Sequence, residues 1–504
     1  MKKEKHVFEV AELGHRVSKE EYKQRVPDLR TQLLEVQFQL RQADFPVIVL
    51  ISGVDGAGKG ETVNLLNEWL DPRYVRTDAF DKPTEEERHR PPFWRYWRAL
   101  PAKGHMALYV GSWYSGPLAK RVYGKTSAAE LDEALARINA FEKELVNDGA
   151  LVIKIWLHLS KKPQVKRLRK LEKNPETRWR VTKRDHQHLK LYDKFRPIAE
   201  HALRVTSTGE VPWAIVEGSD ARYRGLTVGQ IILEQLGRRL ARPLAEATET
   251  DEFRPITPPV SGEPVTLLNT LRLDLTVKPD TYKRELEEEQ GRLNRLTRKA
   301  LQKGISSVMV MEGWDAAGKG GVIRRMVPAM DARHYHIIPV AAPTDEEHAH
   351  HYLWRFWRHI SRAGHVTIYD RSWYGRVLVE RVEGFASQDE WRRAYTELND
   401  FENQLVDHGI VLTKIWLHIS KDEQIRRFKL REETPFKRHK ITEEDYRNRE
   451  KWDLYEQAVN EMVERTSTEY APWVLVEAND KKYARLKVLR IFCDRLERAL
   501  KKRK

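Results

Sequence analysis

Cysteine is nearly absent from this chain. Of its 504 residues one is a cysteine, Cys493, so an intramolecular disulfide and a cysteine-cluster metal site are both excluded. The N-terminal stretch MKKEKHVFEVAELGHRVSKEEYKQ carries charges throughout, whereas a signal peptide needs an apolar segment of ~7–15 residues. No run approaches the ~18 apolar residues of a membrane span. We therefore expect a soluble, cytoplasmic protein.

Apolar and aromatic residues suffice for large cores. Hydrophobic residues make up 40% of the chain and include 15 tryptophans, while 33% of the residues are charged. The length favours two or more domains, since a domain usually holds ~100–200 residues. Lysine and arginine number 90 against 75 aspartates and glutamates, and the resulting charge of +15 attracts anions. Nucleic acid, acidic membrane and polyphosphate are candidate partners, although solvated helix surface would also account for much of this charge.

The chain repeats itself at one fixed offset. After a shift of 260 residues, FWRYWR at Phe93 overlays LWRFWR at Leu353, and KIWLHLSK overlays KIWLHISK. One offset that holds across separated segments indicates a duplicated domain. We predict an N-terminal domain at residues 1–241, a linker rich in Pro, Glu and Thr at 242–265, and a C-terminal domain at 266–504.

Each half alternates short apolar runs with longer amphipathic stretches. VIVLISG, ALYVGS and LVIKIWLHL in the first half correspond to SVMVMEG, VTIYDRS and IVLTKIWLHI in the second. Runs of this length, separated by segments long enough for helices, favour parallel strands covered by helices. The predicted fold class is α/β, with two tandem three-layer α/β/α sandwich domains and parallel sheets.

A glycine-rich loop, GWDAAGKGG, follows the first of these runs in the second half and precedes a segment compatible with a helix. Strand, glycine loop and helix are the context of a phosphate-binding loop, where backbone N–H groups surround an anion and Lys319 adds a positive charge. The alternative is a plain tight turn. Because GVDGAGKG at position 53 is the other copy of this loop, we predict that both domains are P-loop kinase-like. In the second half the residues predicted to contact phosphate are Gly313, Ala316, Ala317, Gly318, Gly320 and Gly321.

Two carboxylates are candidates for a metal site. A Ser or Thr usually follows the loop lysine and holds magnesium, but Gly320 stands there, so Asp315 is the available hard oxygen ligand. Asp370 and Arg371 end the apolar run of VTIYDRSWYGR, where a carboxylate can hold Mg²⁺ and a guanidinium can clamp phosphoryl oxygens. The alternative is an exposed ion pair at a strand end. We predict that Asp315 and Asp370 bind Mg²⁺.

The first half departs from this pattern. Val110 and Gly111 stand in place of Asp370 and Arg371. A valine cannot bind magnesium and a glycine cannot neutralise phosphate, so we place catalysis in the second half and expect poor transfer in the first. Three further replacements point the same way: Gly116 for Arg376, Lys120 for Glu380 and Leu171 for Arg431.

A basic segment after KIWLHIS is a candidate lid. It has Pro435 near its centre, where a helix can break. A cationic lid would exclude water from a phosphoryl-transfer site and screen the moving charge. The alternative is a solvated helix face, because glutamates are interspersed. The basic residues of the segment are Arg426, Arg427, Lys429, Arg431, Lys437, Arg438 and Lys440.

The motifs GxDxxGKG, PTxEE followed by LWRFWR, YDRSWYGR, KIWLHIS and the basic segment together resemble the second polyphosphate kinase family. Members of that family move a terminal phosphoryl group between inorganic polyphosphate and nucleotides. Two fused copies resemble its tandem polyphosphate:AMP phosphotransferase subgroup, which makes ADP from AMP. The resemblance implies magnesium, and it implies functional roles for Asp315, Lys319, Asp370, Arg371 and Arg431.

We accordingly predict transfer from polyphosphate to AMP in the second half, with Mg²⁺ bridging the phosphates. Two other functions remain open: an ATP-dependent nucleoside monophosphate kinase with a thymidylate-kinase-like fold, and a nucleic-acid-associated regulator that senses phosphate. No helix-turn-helix or RNA-binding signature supports the regulator, so no nucleic acid partner is expected. A homo-oligomer is possible. The further residues predicted to bind nucleotide or polyphosphate are Arg376, Glu380, Lys437 and Arg438.

Overall fold

The computed structural model describes residues 7–241, 266–435, 441 and 443–502. The described chain divides into two compact units, one around each copy of the repeat. The boundaries 1–241 and 266–504 stay predictions, and the linker at 242–265 lies outside the described residues. None of the helices in the described ranges is both long and apolar enough to cross a membrane.

In the first half, apolar runs form the strands and the amphipathic stretches between them form helices. The strands are β1 (Val47–Gly53), β2 (Val75–Ala79), β3 (Met106–Val110), β4 (Leu151–His158) and β5 (Trp213–Glu217). The α-helices are α1 (Lys19–Leu40), α2 (Lys59–Trp69), α3 (Glu85–Arg88), α4 (Trp94–Trp97), α5 (Ser115–Val122), α6 (Ala128–Asn147), α7 (Lys161–Lys173), α8 (Lys183–Lys190), α9 (Tyr192–Thr206) and α10 (Ala221–Ala241).

The second half repeats this order. Its strands are β6 (Ser307–Gly313), β7 (Tyr335–Pro339), β8 (Val366–Asp370), β9 (Val411–His418) and β10 (Trp473–Glu477). Its α-helices are α11 (Pro279–Gln302), α12 (Lys319–Met326), α13 (Asp345–His348), α14 (Trp354–Trp357), α15 (Val379–Val382), α16 (Gln388–Asp407), α17 (Lys421–Glu433), α18 (Glu443–Glu450), α19 (Trp452–Thr466) and α20 (Lys481–Lys502).

Both sheets have five parallel strands, which confirms the predicted α/β fold. The first has the order β2-β3-β1-β4-β5 and the second β10-β9-β6-β8-β7, which is the same arrangement read from the opposite edge. Their central strands are fully buried from Val47 to Ile51 in β1 and from Met309 to Met311 in β6. Helices cover both faces because parallel strands are apolar on both sides. In the first unit α1 and α2 pack on α10, while α5, α6 and α9 pack together.

The sheet order decides where the two functional segments of the second half meet. β6 and β8 are neighbours although β7 separates them in sequence, and Met311 of β6 pairs with Asp370 of β8. The carboxyl ends of adjacent parallel strands open at one edge of a sheet, which is where α/β proteins bind ligands. The glycine loop after β6 and the Asp-Arg pair at the end of β8 therefore lie side by side.

Candidate active site

The glycine loop joins β6 to α12 and turns back on itself. Gly313 has a φ of 148°, and a Cβ there would lie 2.6 Å from the carbonyl oxygen of Leu417, so no other residue fits without a shift. Gly318, with a φ of 117°, caps the N-terminus of α12. The Lys319 ammonium donates to the carbonyls of Gly313 at 2.6 Å and Trp314 at 3.3 Å. Lysine and helix N-terminus thus lie together at one end of the sheet, as anion binding requires.

Arg427 holds this loop through hydrogen bonds from the protein interior. Its guanidinium donates through Nη1 to the carbonyls of Ala316 at 3.0 Å and Ala317 at 2.8 Å, and through Nη2 to that of Ala478 at 2.6 Å. The residue is 2% exposed. The assignment of Arg427 to a cationic lid is therefore wrong: it fixes the carbonyls of the phosphate loop from the protein interior.

Asp315 connects the loop to two other elements. Its Oδ1 accepts from Nη2 of Arg371 at 3.1 Å, and its Oδ2 accepts from Nδ2 of Asn448, on α18, at 3.0 Å. Burial opposes ionisation, but the charges of Lys319 and Arg371 and the Asn448 hydrogen bond outweigh it and lower the pKa of this carboxyl. Asp315 is therefore anionic and holds the Arg371 guanidinium in place.

Arg371 follows β8 in a strained conformation. Its φ is 64°, a left-handed value that costs an L-residue energy, and its counterpart Gly111 has a φ of 73°. The backbone path is therefore shared by the two halves, but only the second half places a charged side chain on it. Such strain at a non-glycine residue is commonest at functional sites.

Asp370 lies beside Gly320, the position at which a phosphate-binding loop usually has a Ser or Thr hydroxyl. Its Oδ2 lies 4.0 Å from the position that a Cβ on Gly320 would take. A Ser or Thr side chain in the usual loop would start from that Cβ. The carboxylate therefore stands next to the place where a phosphate-binding loop normally holds magnesium.

One cavity of about 510 Å³ collects most of the predicted residues. The side chains of Lys319 and Arg431 line it together with Arg324, which the sequence analysis missed. Together with Arg371 they place four basic side chains around three carboxylates, those of Asp315, Asp370 and Asp445. The other predicted residues in its lining are Asp315, Ala316, Ala317, Gly318, Gly320, Gly321, Asp370 and Arg371.

Three predicted binding residues within the described ranges, Gly313, Arg376 and Glu380, are not in this lining. Nε of Arg376 lies 3.1 Å from Oε2 of Glu380, and its guanidinium stacks over the Tyr352 ring at 4.4 Å. Arg376 therefore contacts Glu380 and Tyr352 and does not line the cavity. Lys437 and Arg438 lie outside the described residues, so the closure of a lid stays a prediction.

A fully buried ionic network supports the segment after β8. Lys414, in β9, donates to Oε2 of Glu402 at 2.7 Å and to the hydroxyl of Tyr374 at 3.0 Å. Oε1 of Glu402 also accepts from Tyr374 at 2.6 Å and from Trp373 at 3.0 Å. The first half has the same network, formed by Lys154, Glu142, Tyr114 and Trp113. It therefore shapes the strand-end loop in both halves and does not by itself mark the active one.

Sequence reasoning also missed Glu312 and Asn448. Glu312 is buried at the end of β6, where Oε1 accepts from the Ser372 hydroxyl at 2.7 Å and burial raises the pKa of its carboxyl. A charged residue in an apolar run, matched by Ser52 in the other copy, was the available signal. Asn448 had no such signal, because only the fold brings it to Asp315.

The donor set of the cavity suits Mg²⁺. Asp315 and Asp370 supply carboxylate oxygens, the hard ligands that Mg²⁺ prefers, and they face the phosphate loop. In the first half Val110 and Gly111 line the corresponding place. Asp55 there is tied to Nζ of Lys59 at 3.1 Å and to Nδ1 of His188.

A family model described as polyphosphate kinase 2 matches residues 16–242 and 276–504. A polyphosphate:AMP phosphotransferase of Pseudomonas aeruginosa is 52% identical over 99% of this chain and 100% of its own length. A protein of the same description from Pseudomonas syringae pv. tomato is 50% identical over 98% of this chain and 99% of its own. A crystal structure of a polyphosphate kinase 2 from Pseudomonas aeruginosa matches with a TM-score of 0.87 at 51% identity, covering 99% of this chain and 100% of that one.

Proposed function

Because the chain belongs to the polyphosphate kinase 2 family, we propose that it transfers the terminal phosphoryl group of inorganic polyphosphate to AMP, which yields ADP. The structural observation behind this proposal is the single cavity that joins Lys319, Asp370, Arg371 and Arg431. Relatives at about half identity over the full chain are polyphosphate:AMP phosphotransferases.

The reaction needs alignment and charge neutralisation. A phosphate oxygen of AMP attacks the terminal phosphorus of the chain, the P–O bond to the next phosphate breaks, and the shortened polyphosphate leaves with that electron pair. The protein stabilises the charge on the transferring oxygens and performs little covalent chemistry. No side chain has to become phosphorylated in this scheme.

The cavity supplies these functions from two sides. Lys319 and the N–H groups that begin α12 hold the phosphate of one substrate. Arg371 and Arg431, whose guanidinium groups can bind phosphoryl oxygens bidentately, stabilise the moving group. Asp315 orients Arg371 through the 3.1 Å hydrogen bond and so acts as a positioning residue.

Asp315 and Asp370 would hold Mg²⁺, which neutralises phosphate charge when bound. In the first half Val110 and Gly111 replace Asp370 and Arg371. Asp55, the counterpart of Asp315, is bound to Lys59 and His188. We therefore assign turnover to the second half. A cytoplasmic location stays a prediction.

The test is a donor screen with AMP and Mg²⁺ present. We expect ADP from long-chain polyphosphate in the absence of ATP. ADP formed only with ATP would instead identify an ATP-dependent nucleoside monophosphate kinase. Salt-sensitive DNA binding without any phosphotransfer would favour a nucleic-acid-associated regulator.

A further inference from the structure

The first half contains a pocket whose apolar part is narrowed by a tryptophan in the second half. Its volume is about 360 Å³, and in the second half the corresponding residues line two cavities, one of about 80 Å³ beside Trp314 and the 510 Å³ cavity at Asp370. The difference starts at Val54, whose counterpart is Trp314. Trp314 stacks on Trp452 at 3.7 Å between ring centroids and donates to Nδ1 of His418 at 3.1 Å. Valine leaves the corresponding space open.

Aromatic rings form the walls of this pocket. Trp156 and Phe195 both line it and lie nearly parallel, with centroids 6.0 Å apart and an interplanar angle of 17°. Tyr192, the counterpart of Trp452, and Phe80 line it as well. A volume of this size lies within the ~300–1,000 Å³ range of small-molecule sites, and flat apolar walls favour a planar ligand.

Two buried polar atoms of the lining have no partner. Nε1 of Trp156 and Oε1 of Gln164 make no hydrogen bond with any described residue, and each side chain is 2% exposed. Leaving such atoms unsatisfied costs about 1–3 kcal/mol each, so unpaired groups in native structures call for an explanation. A ligand that offers one acceptor and one donor would satisfy both.

The charges at the mouth of the pocket argue against a highly anionic ligand. Among the described residues of the lining, Lys59 is the only lysine or arginine. Its ammonium donates to the carbonyls of Gly53 at 2.8 Å and Val54 at 3.1 Å and to the Asp55 carboxylate. The three protons of the ammonium are therefore already engaged. Arg371 and Arg431, which serve phosphate in the other half, have no basic counterpart here.

We propose that this pocket binds an uncharged planar heterocycle with a hydrogen-bond donor and acceptor, as found in a purine base or its nucleoside. The ring packs against the aromatic lining, the Trp156 indole N–H donates to it, and the Gln164 carbonyl oxygen accepts from it. This site is separate from the phosphotransfer cavity of the second half and does not depend on its activity.

The experiment titrates the full-length protein with adenine, adenosine and AMP up to about 1 mM, the weak end of specific affinity, by calorimetry. We expect adenosine or adenine to bind, and whichever binds more tightly identifies the ligand as nucleoside or base. Val54→Trp, which copies the other half, should remove one binding site and leave phosphotransfer intact. An unchanged thermal unfolding profile shows that the first half of this variant has folded.

Trp156→Phe provides a second and milder variant. It deletes a donor that has no partner within the protein, so affinity should fall about tenfold, the worth of one hydrogen bond. Trp416→Phe is the matched control, because it removes the equivalent unpaired Nε1 in the other half and should leave this affinity unchanged. A number of binding sites that Val54→Trp leaves unchanged, binding of AMP alone, or no binding at all overturns the proposal.

Discussion

Replacing Arg371 by glycine should slow phosphotransfer by orders of magnitude without destabilising the protein. The residue has a φ of 64°, and the equivalent position of the first half, Gly111, already carries glycine at 73°. Glycine fits this conformation freely, whereas alanine keeps the strain of an L-residue. Comparing Arg371→Gly with Arg371→Ala therefore separates the function of the guanidinium from the strain of the backbone.

The expected magnitudes follow from three opposing effects. Relief of the left-handed strain should gain roughly 1–2 kcal/mol, while the greater freedom of glycine in the unfolded chain should cost about 0.5–1 kcal/mol. Loss of the ion pair with Asp315 should cost about 1 kcal/mol at most, since Arg371 is 44% exposed. Arg371→Gly should thus lie within about 1 kcal/mol of the wild type, and Arg371→Ala should be less stable than Arg371→Gly by the strain energy minus the entropy cost of glycine, roughly 1 kcal/mol.

The assay pairs ADP formation with thermal unfolding. Both variants should lose about a hundredfold to a thousandfold in rate, as when one preorganised donor is removed from a transition state. The glycine variant should melt above the alanine variant by about 2–4 °C, the shift that 1 kcal/mol produces in a domain of this size. Gly111→Ala is the control: its Cβ would lie 2.6 Å from the Phe80 carbonyl oxygen, so it should lower stability. A glycine variant that stays active, or that melts below the alanine variant, would refute the reasoning.

Two further predictions concern stability. Lys414→Met removes the cation from the buried Glu402 carboxylate and should lower the free energy of unfolding by about 3–5 kcal/mol. Lys154→Met should do the same to Glu142 in the first half. An unchanged urea midpoint in either variant would contradict this prediction. Burial lowers the pKa of His418 from 6.5 to about 4. Between these pH values the unfolded state binds more protons than the folded state. The free energy of unfolding should therefore fall as pH drops from 6.5 to 4, by on the order of 3 kcal/mol. His418→Gln should remove this part of the pH dependence of the urea midpoint, and an identical slope in both proteins would exclude the assignment.

The repeat and the strand-end residues were predictable because they depend on local signals. Apolar runs of strand length define β6 and β8, and parallel strands open at a shared edge, so the glycine loop and Asp370 had to lie at the same end of the sheet. The order of the strands was not predicted. It depends on which helices pack on which face, and this is settled by contacts between distant segments.

Charge alone was a poor guide to the role of each arginine. Arg427 and Arg431 stand four residues apart on α17, yet Arg427 is buried beneath the phosphate loop and Arg431 lines the cavity. Arg376 and Glu380 were grouped with the binding residues, and the structure places them in contact with each other. The direction of a side chain depends on the packing of its helix, which a count of charges does not contain.

The division of labour between the halves is tested most directly by comparing the rates of ADP formation of Asp370→Asn and Asp55→Asn, each normalised to folded protein. We predict that Asp370→Asn loses phosphotransfer, whereas Asp55→Asn has a much smaller effect, since its half has Val110 and Gly111 at the strand end. Equal losses in the two variants would contradict the assignment of turnover to the second half.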